Sequence, residues 1–576
     1  MVIKVKRQVV PPPDQIPVHL QKYIVEQNYE KYTPRDHAVW RYVLRQLKSF
    51  LKKNAHECYL EGLDRTGIDV EAIPKISAVS EKLKEFGWRA LPVSGFIPPA
   101  AFMELQSLGV LPIASDMRSL EHLLYTPAPD IVHEAAGHAP ILIQPEYADY
   151  LRQYAQIAKK AILSRQDLEQ YEAIRLLSDL KENQNSTESE IKNAESKLAS
   201  VTNNTTFISE AAELSRMNWW TAEYGLIGPL ENPKIFGAGL LSSVGEAKWC
   251  LSEKVKRIPL TLDCIQQSYD ITEPQPQLFV AKDFKNLVEV LHQMAATMAF
   301  NVGGIVGLDK AIQAASVNTT QLDSGLQISG VHLKYILDDH GQIAYLQYSG
   351  PTQISYGDKQ LKGHEKTYHQ HGFGTPVGEL TSMSFQDLKI GQPYSLKYNS
   401  GLELNGKLEK ILTISTTAQI LTFSNATAKF KNQILFQPDW GLYDIVTGQN
   451  VASVFGGPAD RISYGDTDDF VASQIMPPTY TEKQKILFNL YQMVRELRTQ
   501  GIQGTQKTIH VVLESIKKDA PSEWLLFVEL LEISETHHFD SGIKTELKNI
   551  LETLKLIDQK TASLIADGVS LIHATI

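Results

Sequence analysis

Asp130-Ile-Val-His133-Glu134-Ala-Ala-Gly137-His138-Ala-Pro140 is the densest cluster of chemistry-bearing residues in this 576-residue chain. Two imidazoles and a carboxylate so close together point to a metal. The spacing narrows the choice. Metalloproteases with H-E-x-x-H place their histidines four apart, on one face of a helix. Here they are five apart, and at about 100° per residue an ideal α-helix separates them by about 140°. Both reach one metal if the helix ends between them. Gly137 suits such an ending through a left-handed conformation, and Pro140 blocks resumption, which leaves His138 on the turn beyond. A zinc hydrolase with Glu134 as general base loses its geometry on this reading.

A third ligand is needed. Trp219-Trp220-Thr221-Ala222-Glu223-Tyr224-Gly225-Leu226 sets Glu223 in a strongly aromatic helical segment. A carboxylate buried there is costly unless it is paired or bound to metal. With His133 and His138 it would complete the two-His-one-carboxylate triad of non-haem Fe(II) oxygenases. A Glu223 satisfied by an arginine or a hydroxyl is the plainer alternative.

Outward from these motifs the chain reads as three blocks. From about Asp14 to Phe300 it is mainly helical, and Val39, Tyr42, Val43, Leu47, Phe50 and Leu51 form one buried stripe. Leu91-Pro92-Val93-Ser94-Gly95-Phe96-Ile97-Pro98-Pro99 reads as an ordered loop because of its prolines, with a helix from Ala100. Between Ile162 and Val201 the composition turns polar, with a narrow apolar seam (Ile174, Leu177, Ile191, Ala194, Leu198) and a capping-box pattern at Thr187 and Glu190. An inserted helical hairpin is favoured there over a partner-binding coiled coil. Beyond about Gly303, where Gly303-Gly304 reads as a linker or helix end, Val331–Leu337 and Gln342–Tyr348 flank Asp338–Gly341 as a β-hairpin, and strands continue to about Ser473. Ile354–Asp358 recurs as Ile462–Asp466 and suggests a duplicated β unit. After Pro477-Pro478 the apolar spacing is helical to the end. The expected architecture is therefore a mainly α core over 14–302 with an insertion at about 162–205, a β-rich accessory domain over 303–476, and a helical C-terminal domain over 477–576.

Composition bounds the rest. With 56 basic and 66 acidic residues, a net charge of -10, no nucleic-acid partner is expected. Cys58, Cys250 and Cys264 make no disulfide framework. The first residues carry charge and Pro11-Pro12-Pro13 without a leader's apolar core, and no apolar run matches the ~20 residues of a membrane span. The expectation is a cytoplasmic protein with no membrane partner.

Tyr125-Thr-Pro-Ala-Pro-Asp-Ile-Val-His-Glu-Ala-Ala-Gly-His-Ala-Pro, the Glu223 segment, Phe236-Gly-Ala-Gly-Leu-Leu-Ser-Ser-Val-Gly-Glu246 and Tyr269-Asp-Ile-Thr-Glu-Pro-Gln-Pro276 occur in this order. Together they resemble the catalytic core of the pterin-dependent aromatic amino acid hydroxylases. The resemblance spans about Asp14 to Phe300 and is nearest to phenylalanine 4-hydroxylases. It implies a monooxygenase that takes an aromatic amino acid, a tetrahydropterin and O2 and uses Fe(II). His133, His138 and Glu223 fall on the iron ligands. Arg118 falls on the arginine for the substrate carboxylate, where a bidentate guanidinium is suited and lysine is not. Thr126 and Ser242 fall on substrate-binding hydroxyls, and Pro129 and Trp219 on walls around the substrate ring. Val93, Gly95, Phe96 and Ile97 match the pterin loop, with Phe102 on the ring that stacks on the pterin. Glu134 falls beside pterin and oxygen, and with Tyr125 is a candidate catalytic residue. Asp130 is either a partner that orients a ligand histidine or a helix N-cap.

The chain departs from the family at Pro98, Pro99, Ala100 and Ala101 in the pterin loop, at Tyr224 in place of Phe, and at Pro112 in place of a pterin-side His. Trp219 and the apolar Ile271 favour phenylalanine as substrate over tryptophan or tyrosine. A catalytically lapsed core kept as an interaction scaffold is the rival, and the C-terminal half could serve oligomerisation. Weaker signals remain. His364, Glu365, His369 and His371 suggest a second metal site, but Glu379 lies too far on, and a solvated loop is the favoured reading. Trp440 and Tyr443 read as β-domain core, and His537-His538 as surface.

Overall fold

The apolar stripe from Val39 to Leu51 becomes the buried face of the helix Pro34–Asn54, which starts at a capping box between Thr33 and Asp36. Its partners come from both ends of the chain. In the computed structural model, which describes residues 15–93, 97–123, 130–182, 186–271, 273–465, 480–500 and 505–575, this helix packs against the C-terminal helices Glu482–Gln500 and Gln559–Thr575. One apolar core therefore runs from Val39 and Tyr147 through Phe236 and Leu291 to Leu526, Phe527 and Leu547. Arg41, 6% exposed, meets Glu532 at 2.6 Å, Glu71 at 2.6 Å and Glu529 at 3.3 Å. Arg35 pairs with Glu523 at 2.8 Å, and the Tyr42 hydroxyl donates to the Leu564 carbonyl at 2.6 Å. Arg41, Glu529 and Glu532 are desolvated together while Glu71 stays half exposed, so the helical C-terminal segment is docked on the first block.

Within that block, Arg89–Val93 and Val110–Ala114 pair in parallel. This corrects the reading of Leu91–Val93 as loop. Pro92 and Pro112 lack a donor, but a two-stranded sheet leaves each strand one unpaired edge where no donor is required. The Pro92 carbonyl still accepts from Val25 N–H at 3.0 Å. The following helix starts at Pro99, with a proline in its first turn. A second small sheet orders Lys234–Ile235, Leu226–Ile227, Gln277–Ala281 and Lys256–Pro259 side by side. The helices Arg165–Glu182 and Glu188–Asn203 pack against each other around Ala173 and Ala194, and Thr187 and Glu190 form the capping box that their sequence suggests.

Gly303 and Gly304 join two helices with φ of 53° and 54°, and a Cβ on Gly303 would lie 2.6 Å from the Ala452 carbonyl oxygen. The β-rich region follows as two antiparallel sheets. The first orders Lys359–Gln360, Ile343–Tyr356, Leu326–Leu337, Val317–Leu322 and Val451–Gly456, with Gly372–Pro376 also on Ile343–Tyr356. The hairpin around Asp338–Gly341 forms as its sequence indicates, with Leu337 opposite Ile343. The second sheet orders Pro393–Lys397, Leu402–Thr413, Gln419–Phe430 and Gln433–Phe436, with Tyr443–Val446 on Gln419–Phe430. Tyr345 of the first sheet shares a core with Leu404, Phe423 and Tyr443 of the second.

Three expectations change here. Ile354–Tyr356 ends a strand, whereas Ile462–Tyr464 lies in the short helix Arg461–Tyr464 and Asp466 falls outside the described residues, so the five-residue echo does not mark a duplicated β unit. Tyr443 is core, but Trp440 is 58% exposed and only leans edge-on against Phe436. His364 and His369 are buried, not solvated. Among the described residues no helix is long and apolar enough to cross a membrane.

Candidate active site

The two histidines lie within one helix that does not stop between them. Val132–His138 is a turn of π-helix, with the Ala139 N–H donating to the Glu134 carbonyl five residues back. This corrects the expected break at Gly137. In an i→i+5 ladder, residues five apart return nearly to the same face, so the spacing that defeats an α-helix suits a π-helix. Gly137 serves a different purpose: a Cβ there would lie 2.6 Å from the Ala238 carbonyl oxygen, so the glycine lets the helix Ala238–Ser242 approach. Trp219–Glu223 is a second π turn, closed by Tyr224 N–H on the Trp219 carbonyl at 2.8 Å. Such turns concentrate at functional sites.

The two π turns converge. Nε2 of His133 lies 3.2 Å from Glu223 Oε2, and Nε2 of His138 lies 3.2 Å from Glu223 Oε1. The imidazole rings stand nearly perpendicular, with centroids 5.1 Å apart. Glu134 is the second carboxylate of the cluster. Its Oε2 is 3.9 Å from His138 Nε2, and it forms with the two histidines a group whose ligand atoms lie within 4.8 Å of one another. Glu223 is the nearer to both histidines and gives one oxygen to each. Its charge state agrees: burial opposes ionisation, but His138 and His133 outweigh it and hold the carboxyl well below the usual range. Burial raises Glu134. Burial also works against a charged His133, yet the Glu223 carboxylate holds that imidazole up to about 9.

Ser242 sits behind the histidine ring. Its hydroxyl donates to the Ala238 carbonyl at 2.7 Å and lies 3.1 Å from His133 Nδ1, where it can accept the ring N–H and leave Nε2 facing Glu223. Asp130, open between two roles in the sequence, takes the cap: its Oδ1 accepts from the His133 N–H at 3.1 Å. The same carboxylate receives Arg118 through Nε at 2.6 Å and Nη2 at 2.8 Å, and Arg118 Nη1 also reaches the Ser242 carbonyl at 3.3 Å. Arg118 is thus set rigidly behind the site.

Trp219 lies between two rings, stacked on Tyr224 at 4.4 Å and on Tyr269 at 4.2 Å. Tyr269, whose hydroxyl is 2.9 Å from Ser215 Oγ, has no assigned role in the sequence reading; only its place in the Tyr269–Pro276 block signals it. The substitution Tyr224 for Phe keeps the stack. Val93 and Ile97 are buried with Leu105 and Val110, and Phe102 packs at the edge of that cluster. Gly95, Phe96, Tyr125, Thr126 and Pro129 lie outside the described residues.

Glu246 ends the Phe236–Glu246 block, and burial pushes its carboxyl up to about 7. A carboxyl that binds its proton more tightly when folded withdraws stability as pH rises from its unfolded value of about 4.3 through 7. Glu246→Gln should therefore gain stability over the parent chain as pH rises across that window and match it near pH 4. Urea midpoints of both proteins at pH 4.5, 6 and 7.5 check this; a constant difference would contradict it.

The sequence model of the family described as "Biopterin-dependent aromatic amino acid hydroxylase" matches residues 22–172 and 193–321. Phenylalanine-4-hydroxylase of Ralstonia nicotianae is 27% identical over 309 residues, which cover 51% of this chain and 83% of that protein. Phenylalanine-4-hydroxylase of Bos taurus is 31% identical over 276 residues, covering 46% and 51%. A crystal structure of Chromobacterium violaceum phenylalanine hydroxylase, with bound iron(III) and 7,8-dihydrobiopterin, aligns at 25% identity and a TM-score of 0.38, covering 50% of this chain and 92% of that one. Through residues 22–172 and 193–321, the chain belongs to the biopterin-dependent aromatic amino acid hydroxylase family.

Proposed function

We propose that this protein hydroxylates L-phenylalanine to L-tyrosine with Fe(II), a tetrahydropterin and O2. The observation that carries the reading is the convergence of His133 and His138 with Glu223, each imidazole Nε2 being 3.2 Å from one carboxylate oxygen. Two imidazoles and one carboxylate on one side of a cation are the donor set of non-haem Fe(II) oxygenases. The buried Glu134 Oε2, without a hydrogen-bond partner among the described residues, also fits a site completed by a bound group. When bound, iron and pterin supply the activation of O2; the residues around them do the rest.

His133, oriented by Ser242, and His138 present Nε2, and Glu223 supplies the anionic ligand. Arg118, held by Asp130, offers the guanidinium N–H groups that Asp130 leaves free to the carboxylate of the amino acid. The Tyr224–Trp219–Tyr269 stack is a stiff apolar wall for the substrate ring and keeps water from it. Thr126 and Pro129 would complete the substrate pocket. Val93, Gly95, Phe96, Ile97 and Phe102 would bound the pterin, and Glu134 and Tyr125 would lie beside the reacting groups. Phenylalanine is favoured over tyrosine and tryptophan because the relatives above carry the name phenylalanine-4-hydroxylase, because Trp219 stands in this wall and because Ile271 is apolar.

On the same reading the hydroxylase domain is about 14–302, with 162–205 an insertion, followed by a β-rich accessory domain over 303–476 and a helical one over 477–576. The gap in the family match between residues 172 and 193 supports the insertion. Full-length protein loaded anaerobically with Fe(II), then given phenylalanine, a tetrahydropterin and O2, is expected to form tyrosine in step with pterin oxidation. Pterin oxidation without a hydroxylated product from any of the three aromatic amino acids would sink the assignment.

A further inference from the structure

The β-rich region holds a second cluster of metal-ligating side chains, distant in sequence from the hydroxylase site. The segment between Lys359–Gln360 and Gly372–Pro376 folds back over its own sheet. The Ile354 and Thr352 N–H groups donate to the carbonyls of His364 and His369, each at 3.1 Å. This anchoring buries both rings, at 3% and 8% exposure, while His371 stays exposed. The rings are nearly parallel, 5.4 Å between centroids, with His364 Nδ1 3.2 Å from His369 Nε2.

Opposite them stands Asp444, 5% exposed, on the strand Tyr443–Val446 of the other sheet. One ligand atom from each of His364, His369 and Asp444 lies within 4.8 Å of the other two. The Asp444 carboxylate accepts from the Thr422 hydroxyl and neighbours the Tyr368 phenol, both neutral groups. The charge of Lys410 acts on the neighbouring His364, but the groups touching the buried Asp444 carboxylate are neutral, and a cation held between it and the two rings would offset the cost of its burial.

Two neutral imidazoles and a carboxylate suit a divalent transition metal, and tetrahedral bonds of about 2.0–2.1 Å place ligand atoms about 3.3 Å apart. The 3.2 Å between the two ring nitrogens matches that edge. We propose that His364, His369 and Asp444 bind a divalent transition-metal ion of the zinc class. The ion would clamp the 361–371 segment of one sheet to a strand of the other and leave one coordination position open. The competing account is a hydrogen bond between two neutral imidazoles with no metal.

Metal-free full-length protein titrated with Zn(II) against a chromophoric chelator, then desalted and analysed for metal, decides between them. The parent chain is expected to retain two equivalents, and His133→Ala/His138→Ala one. His369→Ala and Asp444→Asn should each retain one. Asp444→Asn is nearly isosteric and still accepts from Thr422, so it tests the site with little risk to folding. Co(II) loaded into the His133→Ala/His138→Ala protein should give visible d–d bands that vanish when Asp444→Asn is added. Retention of no equivalent by the His133→Ala/His138→Ala protein overturns the proposal. So does a second equivalent that persists in both His369→Ala and Asp444→Asn.

Discussion

Glu223→Ala is expected to strip the protein of iron and to lower tyrosine formation by more than about 100-fold, the upper end of what loss of a mere supporting residue around a metal costs. The reason is geometric. Among the described residues Glu223 is the one group within 3.2 Å of both imidazole Nε2 atoms, and without it two neutral imidazoles are left to hold a divalent ion. The parent and the variant should be compared by iron content after gel filtration and by turnover at saturating iron. Glu223→Asp, one methylene shorter, should bind iron weakly and recover part of the rate at high Fe(II). Full iron content and an unchanged rate in Glu223→Ala would transfer the third-ligand role to Glu134, whose Oε2 is 3.9 Å from His138.

Asp130→Ala should cost about 3–5 kcal/mol of folding stability, the range for removing one partner of a buried ion pair. The side chains of Arg118 and Asp130 are 2% and 4% exposed, and the carboxylate takes two guanidinium bonds and the His133 N–H. Removing it strands a buried cation and uncaps the π turn that carries both histidines. Urea denaturation of the iron-free protein reads the stability term alone. Arg118→Lys separates the second role: a point charge cannot span both oxygens of Asp130 and still face a substrate carboxylate. KM for phenylalanine should rise at least about tenfold, by loss of a hydrogen bond to a charged group, while iron content is kept. An unchanged urea midpoint in Asp130→Ala would show that the ion pair bears no load.

The helical, β-rich and helical succession is legible along the chain because each block repeats its own period: Val39, Tyr42, Val43 and Leu47 in the first, Val331–Leu337 against Gln342–Tyr348 in the second. The candidate metal ligands are legible only in part: the spacing of His133 and His138 points to a metal, but Glu223 could as well be a satisfied buried carboxylate, and the family resemblance is what joins the three. Pro92 misleads, because a proline's missing donor excludes an inner strand but not the free edge of a two-stranded sheet. The solvated-loop reading of His364 and His369 fails for a related reason. Polar, Gly-containing sequence marks a turn, but whether that turn lies on solvent or folds back on a sheet depends on what packs above it.

Residue identity by itself settles which side chains can bind a metal and which segments have helical or strand period, for these follow from local chemistry. It does not settle the helix type at His133–His138. An α- and a π-turn differ by one register of backbone hydrogen bonds, and sequence period does not distinguish them; here the turn carries a local cap from Asp130 on the His133 N–H and a contact from a distant segment, Ala238 against Gly137. Nor does it place Asp444 beside His364 and His369, or Glu529 and Glu532 beside Arg41. Those juxtapositions join residues far apart in the chain and exist only once the two sheets, and the two ends of the molecule, have packed together.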